Sequence, residues 1–316
     1  MSVADTAIYA RNLVREYASD RGVCGVDLDV QWGECFALLG RNGSGKSTLS
    51  RLLIGMEKPD SGELSVAGTS LLSLNGRQRV AHLRNLGIAL DTSIHWSKLP
   101  GFSNAWFVAG SYGMSSEDME RKLNNLMDEA ALSDQKGDNV SSYSFGMRRK
   151  LSIVEAICHD PRILVLDEPT SGVDVHFSDR LAEIIRERSS RNLTTWIASN
   201  DPEWVAEAAT RVAFMDKGRM IASGTVAELL AEVAPYQEIK ITLVAEESIP
   251  PFDDPGIRSF DRSETGITVL AEEDPMLIPR LMEWIVVRGG KIESVQVRRS
   301  TLRDVFLLKT GEDLDT

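Results

Sequence analysis

Nine residues, GRNGSGKST at positions 40–48, restrict what this chain can become more than any other stretch. Three glycines, Gly40, Gly43 and Gly45, stand among polar residues. An apolar run, ECFALLG, leads in, and an apolar-periodic one, STLSRLLIGM, leads out. The spacing fits G-x-x-x-x-G-K-[ST], a turn between a strand and a helix. Each residue type has a chemical reason. Glycine lets the backbone turn tightly and aim its N–H groups at a phosphate. The helix N-terminus adds partial positive charge at the same place. Lys46 is placed to reach β- and γ-phosphates, and the Ser47 hydroxyl to ligate magnesium. Arg41, Asn42, Ser44 and Thr48 complete the loop and count with it as nucleotide-binding.

Two further segments extend this chemistry. ILVLDEPT, residues 163–170, is an apolar strand that delivers two carboxylates to its end. Asp167 suits magnesium, directly or through water, and Glu168 suits the general base that polarises an attacking water. Without a phosphate loop upstream, the same residues would read as a solvated acidic turn. SSYSFGMRRKLSI, residues 141–153, places small and polar residues before a basic amphipathic helix. Ser144 there is either a helix cap or something more.

Phosphate loop, serine-glycine segment and acidic strand end, in that order, resemble the ATPase domain of ABC transporters. The resemblance covers residues 7 to about 232. It implies an α/β P-loop fold with a RecA-like core sheet, an antiparallel β subdomain and a helical subdomain at about 95–160. It also implies ATP and Mg2+ as ligands. Tyr17 occupies the place of the aromatic that stacks on adenine, where an exposed strand-end tyrosine is the plainer alternative. Tyr143 to Met147 match the signature, so Ser144 and Gly146 are implied to close over the ATP of a partner subunit. Phe145 stands where glycine is usual. Asp174, in TSGVD, matches the loop linking the two sites across the dimer. YS-x-GMRR looks like the drug- and lipid-exporting (ABC-2 type) branch.

Two positions depart from the family pattern. Asp91, in LGIALDTSIHWSKL, stands where a glutamine touches magnesium, which makes Asp91 a metal-ligand candidate beside Ser47 and Asp167. Asn200, in TTWIASND, stands where a histidine contacts the γ-phosphate, and no histidine follows His176. Asn200 is therefore a catalytic candidate with Lys46 and Glu168, or a cap for the helix that DPEWVAEAA starts. These departures imply an ATP hydrolase slowed but not abolished. A module that binds ATP and hydrolyses it poorly is the alternative.

Beyond Pro235 the pattern changes to alternating strands, QEIKITLVAE and GITVLAEE, then helices at MLIPRLMEWIVVRGG and LRDVFLLKTG with KIESVQVRR between. This predicts domains at 1–234 and 235–316, the second a small α+β accessory or dimerisation domain, with a Pro-rich stretch, IPPFDDPG, inside it. Its end resembles the C-terminal end of exporter-type ABC ATPases.

Bulk properties constrain the partners. Hydrophobic residues are 42% and charged residues 26%, ordinary for a globular protein. No apolar run approaches the roughly 18 residues that span a bilayer, and the N-terminus has no basic-then-apolar pattern of a secretory signal. A net charge of −12 argues against nucleic acid as partner. Cys24, Cys35 and Cys158 are too few and scattered for a disulfide framework or zinc site. The resemblance implies a separate membrane permease as partner, a homodimer or heterodimer of ATPase subunits, and a cytoplasmic, membrane-peripheral location. IHWSKLPGFSNAWF, residues 94–107, fits the place where the permease docks, with burial of its aromatics in the core as the competing reading. A cytosolic non-transport ABC ATPase is the remaining class, disfavoured because the chain has one ATPase unit and no coiled-coil insertion.

Overall fold

A computed structural model describes residues 6–17, 21–71, 74–92, 94–233, 236–244, 252–263, 266–272 and 274–314. The chain divides into two compact units, Met1–Val226 with Lys309–Thr316, and Ala227–Leu308. Residues 234 and 235, at the border predicted from sequence, lie outside the described residues, as does part of IPPFDDPG.

The first unit opens with β1 (Thr6–Tyr17), β2 (Arg21–Gln31) and β3 (Cys35–Leu39). All five residues of β3 are buried, as suits a strand covered on both faces. After the phosphate loop come α1 (Lys46–Leu53), β4 (Ser61–Val66), β5 (Thr69–Ser70), α2 (Gly76–Leu83) and β6 (Leu86–Ala89). Next are α3 (Gly101–Ser111), α4 (Ser116–Glu129) and α5 (Phe145–Ile157), the predicted helical stretch. The unit continues with β7 (Ile163–Asp167), α6 (Val175–Ser190), β8 (Thr194–Ser199), α7 (Pro202–Ala208), β9 (Arg211–Asp216) and β10 (Arg219–Gly224).

Among the described residues this unit builds two sheets. One is antiparallel with order β2-β1-β4-β5. The other has order β10-β9-β3-β8-β7-β6, parallel from β9 through β6 with β10 antiparallel at the edge. The apolar faces of both sheets and of α1 meet in one core that includes Leu13, Val26, Phe36, Leu49, Leu52 and Trp196. Phe36 and Trp196 stack with centroids 5.4 Å apart. The Trp196 indole N–H donates to Ser50 Oγ at 3.0 Å, so its polar edge is satisfied inside the core.

α2, GRQRVAHL, shows little apolar periodicity in the sequence. Its signal is a capping box: the Asn75 side chain accepts from Gln78 N–H while the Gln78 side chain accepts from Asn75 N–H.

The second unit contains α8 (Val226–Glu232), whose first residue closes the first unit, then β11 (Tyr236–Leu243), β12 (Ile257–Ser263), β13 (Gly266–Glu272), α9 (Leu277–Val287), β14 (Ile292–Arg299) and most of α10 (Leu302–Thr310). Its antiparallel sheet runs β12-β13-β11-β14. Ile239, Ile241, Val269 and Ala271 pack against Leu277, Leu281 and Ile285 of α9. Among the described residues no helix is long and apolar enough to cross a membrane.

His159, just beyond α5, reports on the integrity of the first unit. Its ring stacks on Tyr112 at 3.5 Å, and Nε2 lies 3.1 Å from the Leu86 carbonyl. Burial pushes this imidazole down to about 4. The unfolded state, with an ordinary histidine near 6.5, takes up a proton that the folded state refuses between those values. Stability therefore falls as pH drops from about 6.5 to about 4. In thermal melts at pH about 7 and about 5, the loss of Tm between the two should be smaller in His159→Gln than in wild type. An equal loss would mean that His159 is not the group responsible.

Candidate active site

The central sheet brings the site together. Strands β3, β8 and β7 are parallel neighbours, so the segments that follow them emerge at one sheet end. That end is where ligands bind in open parallel sheets. The phosphate loop follows β3, Glu168 follows β7, and Asn200 follows β8.

A cavity of about 330 Å³ lies there, lined by Tyr17, Gly22, Arg41, Asn42, Gly43, Gly45, Lys46, Ser47, Thr48, Arg51, Asp91 and Glu168. Gly45 has φ +111°, and a Cβ there would stand 2.3 Å from the Gly22 carbonyl oxygen. Only glycine accepts both conditions. Ser44 Oγ is buried with no hydrogen-bond partner. An orphaned donor in this loop, with the open cradle beside it, fits an anionic phosphate.

Lys46 is buried, and its Nζ donates to Gly40 O at 2.6 Å and Arg41 O at 3.2 Å. Glu168 Oε1 lies 3.6 Å from the same nitrogen. Burial lowers the Lys46 ammonium from its ordinary range, with Glu168 and Asp167 opposing. Burial also raises the Glu168 carboxyl, which Lys46 opposes. The backbone fixes Glu168 as well. Its N–H donates to Ala198 O at 2.8 Å, its Oε2 accepts from Asn200 N–H at 3.2 Å, and its φ is +49°. A non-glycine residue in the left-handed region costs roughly 1–2 kcal/mol.

Ser47 Oγ donates to Asp167 Oδ1 at 3.3 Å. Burial raises the Asp167 carboxyl, Ser47 counteracts this, and the charge of Asp91 adds to it. The hydroxyl and two carboxylates are hard oxygen donors of the kind magnesium takes. Among the described residues no cluster of three His, Cys, Asp or Glu could hold a metal alone. Two carboxylates and a hydroxyl leave positions for phosphate and water, which is how magnesium usually sits with nucleotides.

Tyr17 ends β1 at the cavity rim, with the Arg15 guanidinium over its ring at 5.0 Å and its hydroxyl donating to Glu57. Arg41 pairs with Glu312, whose other oxygen is 3.9 Å from Lys217 Nζ. Glu312 lies in the C-terminal segment that belongs to the first unit.

The serine-glycine segment begins α5. Ser144 is its N-cap, accepting from Met147 N–H at 3.2 Å. A Cβ on Gly146 would stand 2.2 Å from Gly172 O. Phe145 is exposed, and its ring edge lies against Gly172. The loop beyond ends at Asp174, which caps α6 through Phe177 N–H and pairs with Lys150 Nζ at 2.5 Å. The hydrogen bond from Lys150 chiefly holds the Asp174 carboxyl below its usual range. Lys150 was legible only as one charge in a basic helix, because its partner lies 24 residues away in sequence.

Two alternatives that the sequence leaves open are resolved. Asn200 does not cap α7; Asp201 does, accepting from Trp204 N–H at 3.0 Å. The aromatics at 94–107 are not all core: Trp96 and Phe107 are 49% and 60% exposed and meet edge to face at 4.6 Å, beside Ile94 at 88%. Phe102 and Trp106 are half-buried.

Comparison with known proteins agrees with this geometry. The family model described as ABC transporter matches residues 23–171. The Nod factor export ATP-binding protein I of Rhizobium meliloti (strain 1021) is 30% identical over 308 residues, covering 98% of this chain and 89% of that protein. The daunorubicin resistance ATP-binding protein DrrA3 of Streptomyces coeruleorubidus is 30% identical over 320 residues, covering 98% of each. A solved structure of the ATP binding subunit of an ABC transporter superposes with a TM-score of 0.66 at 26% identity, covering 72% of this chain and 93% of that one. A buried phosphate-loop lysine, a glutamate poised after β7 and these full-length matches converge: the chain belongs to the ABC transporter family, as an ATP-hydrolysing subunit of the exporter branch.

Proposed function

We propose that this ATPase drives an ABC-2 type exporter by closing an ATP-dependent dimer against a separate membrane permease. The observation that carries the reading is Lys46 and Glu168 held together, beside the Ser47–Asp167 pair, at one end of the parallel sheet. Gly40 to Thr48 hold the phosphates of ATP and Tyr17 stacks on its base. Ser47, Asp167 and Asp91 would hold Mg2+, which would supply charge neutralisation for the phosphates. Glu168 takes the proton of the attacking water. Burial holds its affinity for that proton above an ordinary glutamate's, which suits a base. Asn200, beside Glu168 at the end of β8, offers an amide with two donors to orient the γ-phosphate.

Ser144 and Gly146 complete the site of a second ATPase subunit, identical or paralogous, and Asp174 links the two sites. The exposed Ile94, Trp96 and Phe107 form the surface that takes the permease. Residues 1–234 are the ATPase domain and residues 235–316 an accessory domain that supports the dimer, with Lys309–Thr316 folding with the first unit. The subunit then sits on the cytoplasmic face of the membrane. The relatives' names, Nod factor export and daunorubicin resistance, support export as the class of work; substrate choice lies with the permease. Net charge of −12 supports no role for nucleic acid.

Lys46→Ala removes the buried cation. Phosphate release should fall at least about a hundredfold, because a lost preorganised electrostatic contact is worth several kcal/mol. Turnover equal to wild type would end the phosphate-loop assignment. Glu168→Gln should retain ATP and accumulate the closed dimer by light scattering; a monomer in saturating Mg-ATP with the permease present would end the sandwich model.

Asn200→Ala separates orientation from binding. Loss of one neutral donor to a charged phosphate is worth about 1.4 kcal/mol, or about tenfold in turnover. The expected result is kcat down about tenfold with ATP affinity nearly unchanged, read by steady-state phosphate release with the permease. Wild-type kcat in this variant would leave Asn200 no catalytic role.

A further inference from the structure

Arg149 is a buried cation that the phosphate-loop chemistry above does not use. It sits on α5, five residues beyond Ser144, and only 1% of its side chain is exposed. Its Nη1 donates to Leu90 O at 2.5 Å. Its Nη2 donates to Asp91 O at 3.2 Å and to Asp91 Oδ1 at 2.7 Å. Its Nε is buried without a partner. The whole planar fork is thus spent on one two-residue segment, the end of the chain path that leaves β6. Asp91, in contrast, is 60% exposed and lines the nucleotide cavity with Lys46, Ser47 and Glu168.

The consequence is electrostatic. Asp91 puts a carboxylate into a cavity that Glu168 already lines, with Asp167 buried against Ser47, and that must accept a polyanion. A guanidinium cannot lose its proton under ordinary conditions, so its neutralisation of Asp91 is permanent. The single Nη2 contact to Oδ1, with the Leu90 and Asp91 carbonyls held by the same guanidinium, also fixes where the carboxylate points. Resting on the nucleotide-site reading, we infer that Arg149 is the positioning residue for Asp91: it cancels and orients the Asp91 charge, so that the cavity accepts ATP phosphates before a divalent cation arrives. It also ties the helix that begins at Ser144 to the metal end of the same subunit's cavity.

The two partners differ in burial, and the test uses that. Arg149→Gln leaves a carboxylate that water can still solvate. Asp91→Gln leaves a buried guanidinium without its counter-charge, which is far worse. Asp91→Gln should therefore lower Tm more than Arg149→Gln, and the double variant should recover most of that loss.

The decisive measurement is binding of N-methylanthraniloyl-ATP with EDTA and with saturating Mg2+. Arg149→Gln should weaken metal-free binding about tenfold, as one uncancelled charge facing the phosphates would, and should lose much less with Mg2+. Arg149→Lys, which keeps the charge, should restore most of the metal-free affinity. The double variant Arg149→Gln with Asp91→Gln, which keeps neither charge, should restore it too. Equal metal-free affinity in wild type and folded Arg149→Gln overturns the proposal. If Arg149→Gln fails to fold, metal-free binding by the double variant that is tenfold or more below wild type overturns it instead. Lys46→Ala is the control: unchanged binding there would overturn the nucleotide site itself, whereas lost binding there with Arg149→Gln unaffected overturns only the role of Arg149.

Discussion

One buried cation organises the centre of this protein. Lys46 is itself buried at the wall of the cavity, and it is tolerated because two backbone carbonyls of its own loop and the Glu168 carboxylate surround it. That arrangement requires the loop after β3 and the residue after β7 to share one end of the sheet. The strand order meets the requirement, because β8 lies between β3 and β7 and all three run the same way. The covered faces of those strands are almost wholly apolar for the same reason. A polar residue inside ILVL or CFALL would sit in an apolar interior on either face with no partner.

The parts of the site that could be read in advance are those whose chemistry is local. Gly45 needs a left-handed backbone and a close approach to Gly22, and its neighbours Lys46 and Ser47 follow in the same turn. β7 announces itself by the apolar run ILVL and β8 by the β-formers of TTWIAS. The edge strand β12 is not legible in the sequence because IRSFDRS carries five charged or polar side chains and no clean alternation. Asn200 and Asp201 could not be told apart as caps, since both residue types cap well and the register of α7 decides. The pair of Arg149 with Asp91 was illegible for a different reason. It spans 58 residues and exists only because α5 packs on β6. The same holds for Arg41 with Glu312, 271 residues apart.

The helical stretch shows how one surface can serve two ends. Its inner side buries Leu123, Met127, Leu151 and Val154. Asn104, fully buried, accepts from Trp96 N–H and donates to three carbonyls, from Trp96, Leu99 and Pro100. That bracket pins the loop carrying the exposed aromatics, so their exposure is built by the fold and is not slack in it. On the other flank, α5 presents Ser144 and holds Asp174 through Lys150. Displacement of the aromatic loop would reach Ser144 through helices that share this core.

The left-handed backbone at Glu168 has an evolutionary consequence. At φ +49° the position favours glycine over any residue with a side chain. Replacing Glu168 by glycine would relieve the local strain while removing the base. Random drift at this codon therefore has a route toward a more comfortable fold and a silent motor. A lineage that stopped needing hydrolysis would be under no structural pressure to keep the glutamate.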